Sequence, residues 1–124
     1  MEYLLMIYER ESDWAALSEE ARGAMYKDYY EFTESIRKSG HYKGGNPLQP
    51  VATATTVRVR EGKTMTTDGP FAETREQLGG YYLVEAKDLD EATKLAARIP
   101  GAQVGSIEVR PVMQLPPDYP RPGR

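Results

Sequence analysis

Tyr3-Leu4-Leu5-Met6-Ile7-Tyr8 is an unbroken apolar run, and a second, Tyr81-Tyr82-Leu83-Val84, opens after Gly79-Gly80. Both are too short for a buried helix and rich in strand formers, so each reads as a strand covered on both faces. Away from them the spacing changes. Ala21, Met25, Tyr29, Phe32 and Ile36 recur at helical steps and make one apolar stripe, with Ser18 as N-cap and Ser39-Gly40 as the stop. Asp88-Leu89-Asp90-Glu91 has the form of a capping box and leads a short helix that buries Leu89, Ala92, Leu95, Ala96 and Ile99 before Pro100-Gly101. Thr53 to Arg60 alternates: Thr55, Val57 and Val59 share one face, and Ala54, Thr56, Arg58 and Arg60 the other. Glu61-Gly62-Lys63 turns it into a hairpin strand, Thr64 to Thr67, and a last strand runs from about Gly105 to Pro111. Ser12-Asp13-Trp14 reads as a turn, and His41 to Pro50, with Gly44-Gly45-Asn46-Pro47, as a loop.

Without the hairpin strand, this order is the βαββαβ pattern of a ferredoxin-like sandwich. That α+β fold puts its first and third strands at the centre of the sheet, which suits the two continuous apolar runs. The strands around Val57 and Val109 alternate in polarity, as outer strands should. A single sheet with helices on one face leaves its other face wet. Apolar residues on both faces of the central strands therefore predict a cover, most simply the same sheet of an identical subunit in a symmetric homodimer. The alternative cover is a loop or the Pro-rich tail of the same chain. Residues 1–113 form the expected domain and 114–124 the tail, whose four prolines from Leu115 onward favour an extended backbone.

The chain has 124 residues, enough for one domain, with 16 basic and 19 acidic side chains and a formal net charge of −3. That balance gives no basic face for nucleic acid. The absence of cysteine excludes disulfides and thiolate chemistry. The N-terminal apolar run lacks a basic n-region and falls far short of the roughly 18 residues of a membrane span, so a cytoplasmic location is expected.

Thr67-Asp68-Gly69-Pro70-Phe71-Ala72-Glu73-Thr74 resembles the signature of the DGPF family, part of the wider YCII-related group. Further collinear stretches share the likeness: Tyr3 to Tyr8, Gly45 to Leu48, Ala52 to Arg58, Glu76 to Tyr82 and Ile107 to Val112. The resemblance implies a dimeric α+β barrel type of fold and no established activity. It also implies a regulatory link, since some relatives lie beside extracytoplasmic-function sigma factors. The wider group has a proposed His–Asp pair. Here the first long helix carries no histidine, and His41 lies in the segment after it.

Several residues are candidates for chemistry. Asp68-Gly69-Pro70 is explained by a turn alone, yet it also presents the Asp68 carboxylate as a base or hydrogen-bond acceptor. Glu73, Arg75 and Glu76 follow within a few residues and suit a small polar ligand, or simply a solvated charged turn. Tyr3, Tyr8, Tyr81 and Tyr82 lie on the central strands, where one hydroxyl can line a cavity, and Arg58 and Arg60 share a strand face that can reach it, though core aromatics and surface ion pairs are the bland readings. His41 has no cysteine or placed partner, so no metal, cofactor or Ser/His/Asp arrangement is expected. Two functions follow. The first is a dimeric module binding a small molecule or a protein, in a regulatory role linked to a sigma factor. The alternative is a small enzyme using Asp68 and a Glu as acid–base groups.

Overall fold

The computed structural model describes residues 1–120. Its centre is an antiparallel sheet built on β1 (Glu2–Glu9), which pairs on one side with β5 (Gln77–Glu85) and on the other with β6 (Ser106–Pro111). The fourth strand is β2 (Tyr42–Pro47), paired to β5, so the order is β2-β5-β1-β6. The two apolar runs are thus the central strands, and the connectivity is ferredoxin-like.

Alternation along the central strands decides which face is core. Tyr3, Leu5 and Ile7 of β1 and Tyr82 and Val84 of β5 are buried, while Leu4, Met6, Tyr8, Tyr81 and Leu83 between them are only half-buried. The buried side meets α2 (Glu19–Lys38) through Phe32 and Ile36, and α3 (Leu89–Ala97) through Ala92, Leu95 and Ala96. Phe32 packs edge-on against Tyr82 with ring centroids 5.2 Å apart. The Thr33 hydroxyl donates to the Tyr29 carbonyl at 2.8 Å, so the Tyr82 hydroxyl, 2.7 Å away, donates to Thr33. The helices begin as their sequences predict: Ser18 accepts from the Ala21 amide, and Asp88 from the Glu91 amide. Leu89, expected in the core, is exposed.

Four expectations are corrected. Ser12-Asp13-Trp14 is no turn but part of a short helix, α1 (Glu11–Ala16), with Trp14 edge-on to Tyr26. The expected loop from His41 holds β2, the outer strand of the main sheet. Its Gly45 is needed because a Cβ there would lie 2.8 Å from the Tyr81 carbonyl oxygen. The strand expected at that edge, now β3 (Thr55–Arg60), pairs only with β4 (Lys63–Asp68), in a separate two-stranded ribbon. Positive φ at Glu61 and Gly62, 52° and 74°, closes this hairpin tightly. Finally, His41 does have partners. Its Nδ1 lies 2.6 Å from Ser39 Oγ and its Nε2 3.2 Å from Glu91 Oε1, tying the end of α2 to the start of α3. Beyond β6 the tail turns at Pro116, whose carbonyl accepts from the Tyr119 amide at 2.9 Å; the rest of the expected extended segment, 121–124, lies outside the described residues.

Candidate functional site

The antiparallel register brings the end of β1, the start of β5 and the start of β6 together, because Tyr8 faces Leu78 on one side and Ser106 on the other. Between Ile7 and Tyr8 the pairing slips by one residue, leaving Gly79 as a bulge. Gly105, just before β6, allows the closest approach: a Cβ on it would lie 2.1 Å from the Tyr8 carbonyl oxygen and 3.0 Å from Glu9 Cβ.

An open groove of about 700 Å³ forms there, lined among others by Tyr8, Arg10, Arg75, Glu76, Ser106 and Glu108. Its wall is tied down by short-range bonds. Ser106 Oγ donates to Glu76 Oε1 at 2.8 Å, the Thr74 hydroxyl donates to the Glu76 carbonyl, and Gln77 Nε2 donates to the Thr74 carbonyl at 2.7 Å. The Glu11 amide in turn donates to Gln77 Oε1 at 3.0 Å, and Glu11 Oε1 accepts from the Val51 amide at 2.8 Å.

Behind the groove, on the helix side of β1, Glu9 continues the row of Tyr3, Leu5 and Ile7 as a carboxylate. Burial, and then the charge of Glu76, push its pKa above the ordinary 4.5. Tyr29, whose hydroxyl accepts from the Gly101 amide at 3.1 Å, is pushed up to about 12 by burial and by Glu9. Because folding raises the Glu9 pKa, its contribution to stability is complete below the unfolded value and is lost as pH rises through the folded one. Glu9→Gln is therefore expected to gain stability relative to wild type as pH rises above the ordinary value of 4.5. Urea unfolding at a series of pH values measures this, and parallel curves for the two proteins would contradict it.

The groove gathers only part of the sequence-derived set. Arg75 and Glu76 line it, whereas Asp68 stands exposed at the end of β4 opposite Thr55. Glu73 is exposed in the connection to β5. Arg58 lies on the ribbon with its guanidinium 5.3 Å from the Phe71 ring centre, and Tyr81 accepts from Asn46 Nδ2 at 2.9 Å. Tyr8, one of the central-strand tyrosines, does line the groove, whereas Glu9, Arg10, Ser106 and Glu108 were not singled out from sequence. Their signal was the pairing of β1 with both neighbours, which joins segments nearly a hundred residues apart. Among the described residues no group of three or more His, Asp or Glu side chains is placed to hold a metal ion, and no helix is long and apolar enough to cross a membrane.

A family model described as the YCII-related domain matches residues 1–116. The chain belongs to the YCII-related family. An uncharacterised protein of Rhizobium meliloti (strain 1021) is 37% identical over 114 residues, covering 90% of this chain and 92% of that one. Among solved structures, this YCII-related chain resembles the 5-chloro-2-hydroxyhydroquinone dehydrochlorinase of Burkholderia phenoliruptrix AC1100, determined in complex with 2,5-dihydroxybenzoquinone. The TM-score is 0.50 at 16% identity, over 91% of this chain and 94% of the other. At that identity the likeness speaks for the fold alone, an α+β sandwich.

Proposed function

We propose that this YCII-related protein is a small enzyme whose groove binds a planar, oxygen-rich small molecule and moves a proton on it with Glu76. The observation that carries the reading is the carboxylate pair at the end of β1. Glu76 lines the groove, held there by Ser106, and after burial its charge is the second cause that raises the pKa of Glu9 behind it. A carboxylate in an open groove, beside a second carboxyl whose pKa is raised, suits acid–base work. Arg10 and Arg75 supply fixed positive charge in the same groove, matched to the anionic oxygens of an enol or phenol. The structural neighbour, with its bound dihydroxybenzoquinone, suggests that ligand class. Within the family, Thr67 to Thr74 favours the DGPF branch. The part expected of Asp68 passes to Glu76, which lines the groove as Asp68 does not. The sigma-factor link rests on the family resemblance, and no residue of the groove argues for it.

We further take the working unit to be a homodimer. The half-buried row of Leu4, Met6, Tyr8, Tyr81 and Leu83 is the face a second sheet would cover.

Titration calorimetry with 2,5-dihydroxybenzoquinone as the first probe tests the site. Saturable binding is expected, weakened about 10- to 100-fold by Arg75→Ala, since a bond to a charged group is worth about 1.5–3 kcal/mol. Glu76→Gln is expected to abolish proton uptake or release on binding. Should the probe and related enolic acids fail to bind, or bind Arg75→Ala equally well, the reading is wrong.

A further inference from the structure

The β3–β4 ribbon cannot be explained by the chain that carries it. A two-stranded hairpin alone in water is marginal and needs a third surface. Here the two strands pack chiefly on each other, and nearly every residue of both is exposed. Val57 and Val59 are 59% and 58% exposed, and Met65 is 49% exposed. The register makes the ribbon two-faced. Thr55, Val57 and Val59 lie opposite Asp68, Thr66 and Thr64, an apolar and hydroxyl face without a cation. Arg58 and Arg60 lie opposite Met65 and Lys63, a face with three cations.

We infer that this ribbon is an arm that lies on a second copy of the same chain. The inference rests on the homodimer proposed above and adds where the arm goes. Two observations choose that occupant. The first is area. Four strands about 4.8 Å apart and about 20 Å long cover a footprint near 400 Å², well short of the roughly 800 Å² per partner of a standard interface. One face of the ribbon adds about half as much again, in Val and Thr side chains that a single chain leaves in water. The second is charge. The cations Arg58, Arg60 and Lys63 all lie on the opposite face, so a second copy can cover the Val and Thr face without burying a cation, while the basic face stays in water.

Lysine cross-linking of a mixture of ¹⁴N- and ¹⁵N-labelled chains tests the arm, because Lys63 sits at its turn. Light scattering at micromolar concentration is run on the same samples. The expected result is a dimer in which Lys63 is joined to Lys27, Lys38, Lys43, Lys87 or Lys94 in peptide pairs of mixed isotope. Val57→Asp with Val59→Asp, at positions exposed in the single chain, is expected to raise the dimer dissociation constant at least tenfold while the circular dichroism spectrum is kept. A dimer in which Lys63 links only within its own chain, or to nothing, overturns the arm and leaves the dimer standing. So does an unchanged dissociation constant in the double variant. A monomeric wild type overturns both.

Discussion

Gly105→Ala is expected to lower the free energy of unfolding by about 2–3 kcal/mol, the upper part of the range for overpacking a rigid site. The added methyl carbon would meet the Tyr8 carbonyl oxygen at 2.1 Å and Glu9 Cβ at 3.0 Å. The first of these atoms is backbone of the central strand, so the contact is relieved only by moving β6 away from β1. That movement breaks the site before it breaks the fold. Ser106 begins β6 and donates to Glu76, so the groove loses the bond that orients its carboxylate. Chemical denaturation measures the loss, and calorimetry with the dihydroxybenzoquinone probe is expected to show weaker binding in the folded variant. Gly23→Ala is the matching control. Gly23 lies inside α2 with open space around its Cβ position, and the substitution is expected to stabilise by about 0.5–1 kcal/mol. If Gly105→Ala behaves like Gly23→Ala, close approach of β6 to β1 is not what shapes the groove.

The contrast between these glycines shows what the sequence carries and what it does not. Strands β1 and β5 are legible because each is an unbroken run of strand formers, and α2 because its stripe must recur at helical spacing. Strand β2 is illegible for the opposite reason. Tyr42-Lys43-Gly44-Gly45-Asn46-Pro47 has the composition of a turn, yet the edge of a sheet tolerates proline, and Gly45 is there for close approach to Tyr81. Strand β3 misleads in turn. Its alternation reports two faces of different polarity, which a free ribbon and a sheet edge share, so periodicity cannot say which sheet it joins. The site follows the same division. Arg75 and Glu76 stand in a polar run that draws the eye. Tyr8, Glu9 and Ser106 become a site only through a register that slips at Gly79, and a one-residue slip is a property of pairing rather than of composition. Asp68, within the recognisable signature, ends the ribbon instead of lining the groove.

Leu5→Ala is expected to be the most destabilising of the substitutions considered, by about 3–4 kcal/mol, within the range for truncating a buried leucine. Leu5 has no exposed surface and lies midway along the central strand, paired with Tyr82 and Val109 on its two sides. Its strand neighbours are fixed by ladders on both sides, which limits how far the void can collapse. At this chain length each kcal/mol corresponds to about 3–5 °C in Tm, and the loss should not vary with protein concentration. Its neighbour Leu4 points to the opposite face and is only half-buried in the single chain. Truncating Leu4 to alanine removes the same number of carbons from a site that one chain covers only in part. In a monomer it should therefore cost less than Leu5→Ala, about 1–2 kcal/mol. In a dimer that stacks the two open faces, Leu4→Ala should cost more, and its Tm deficit should shrink as protein concentration rises, because mass action offsets weakened association. Thermal unfolding of both variants over a hundredfold range of concentration separates the cases. A Leu4→Ala deficit that is flat with concentration would mean that this face is not the interface, whatever covers the ribbon. A large deficit for Leu5→Ala that is flat with concentration, beside a sloping one for Leu4→Ala, would assign the two faces of one strand to two different tasks: one holds the chain together, and the other holds two chains.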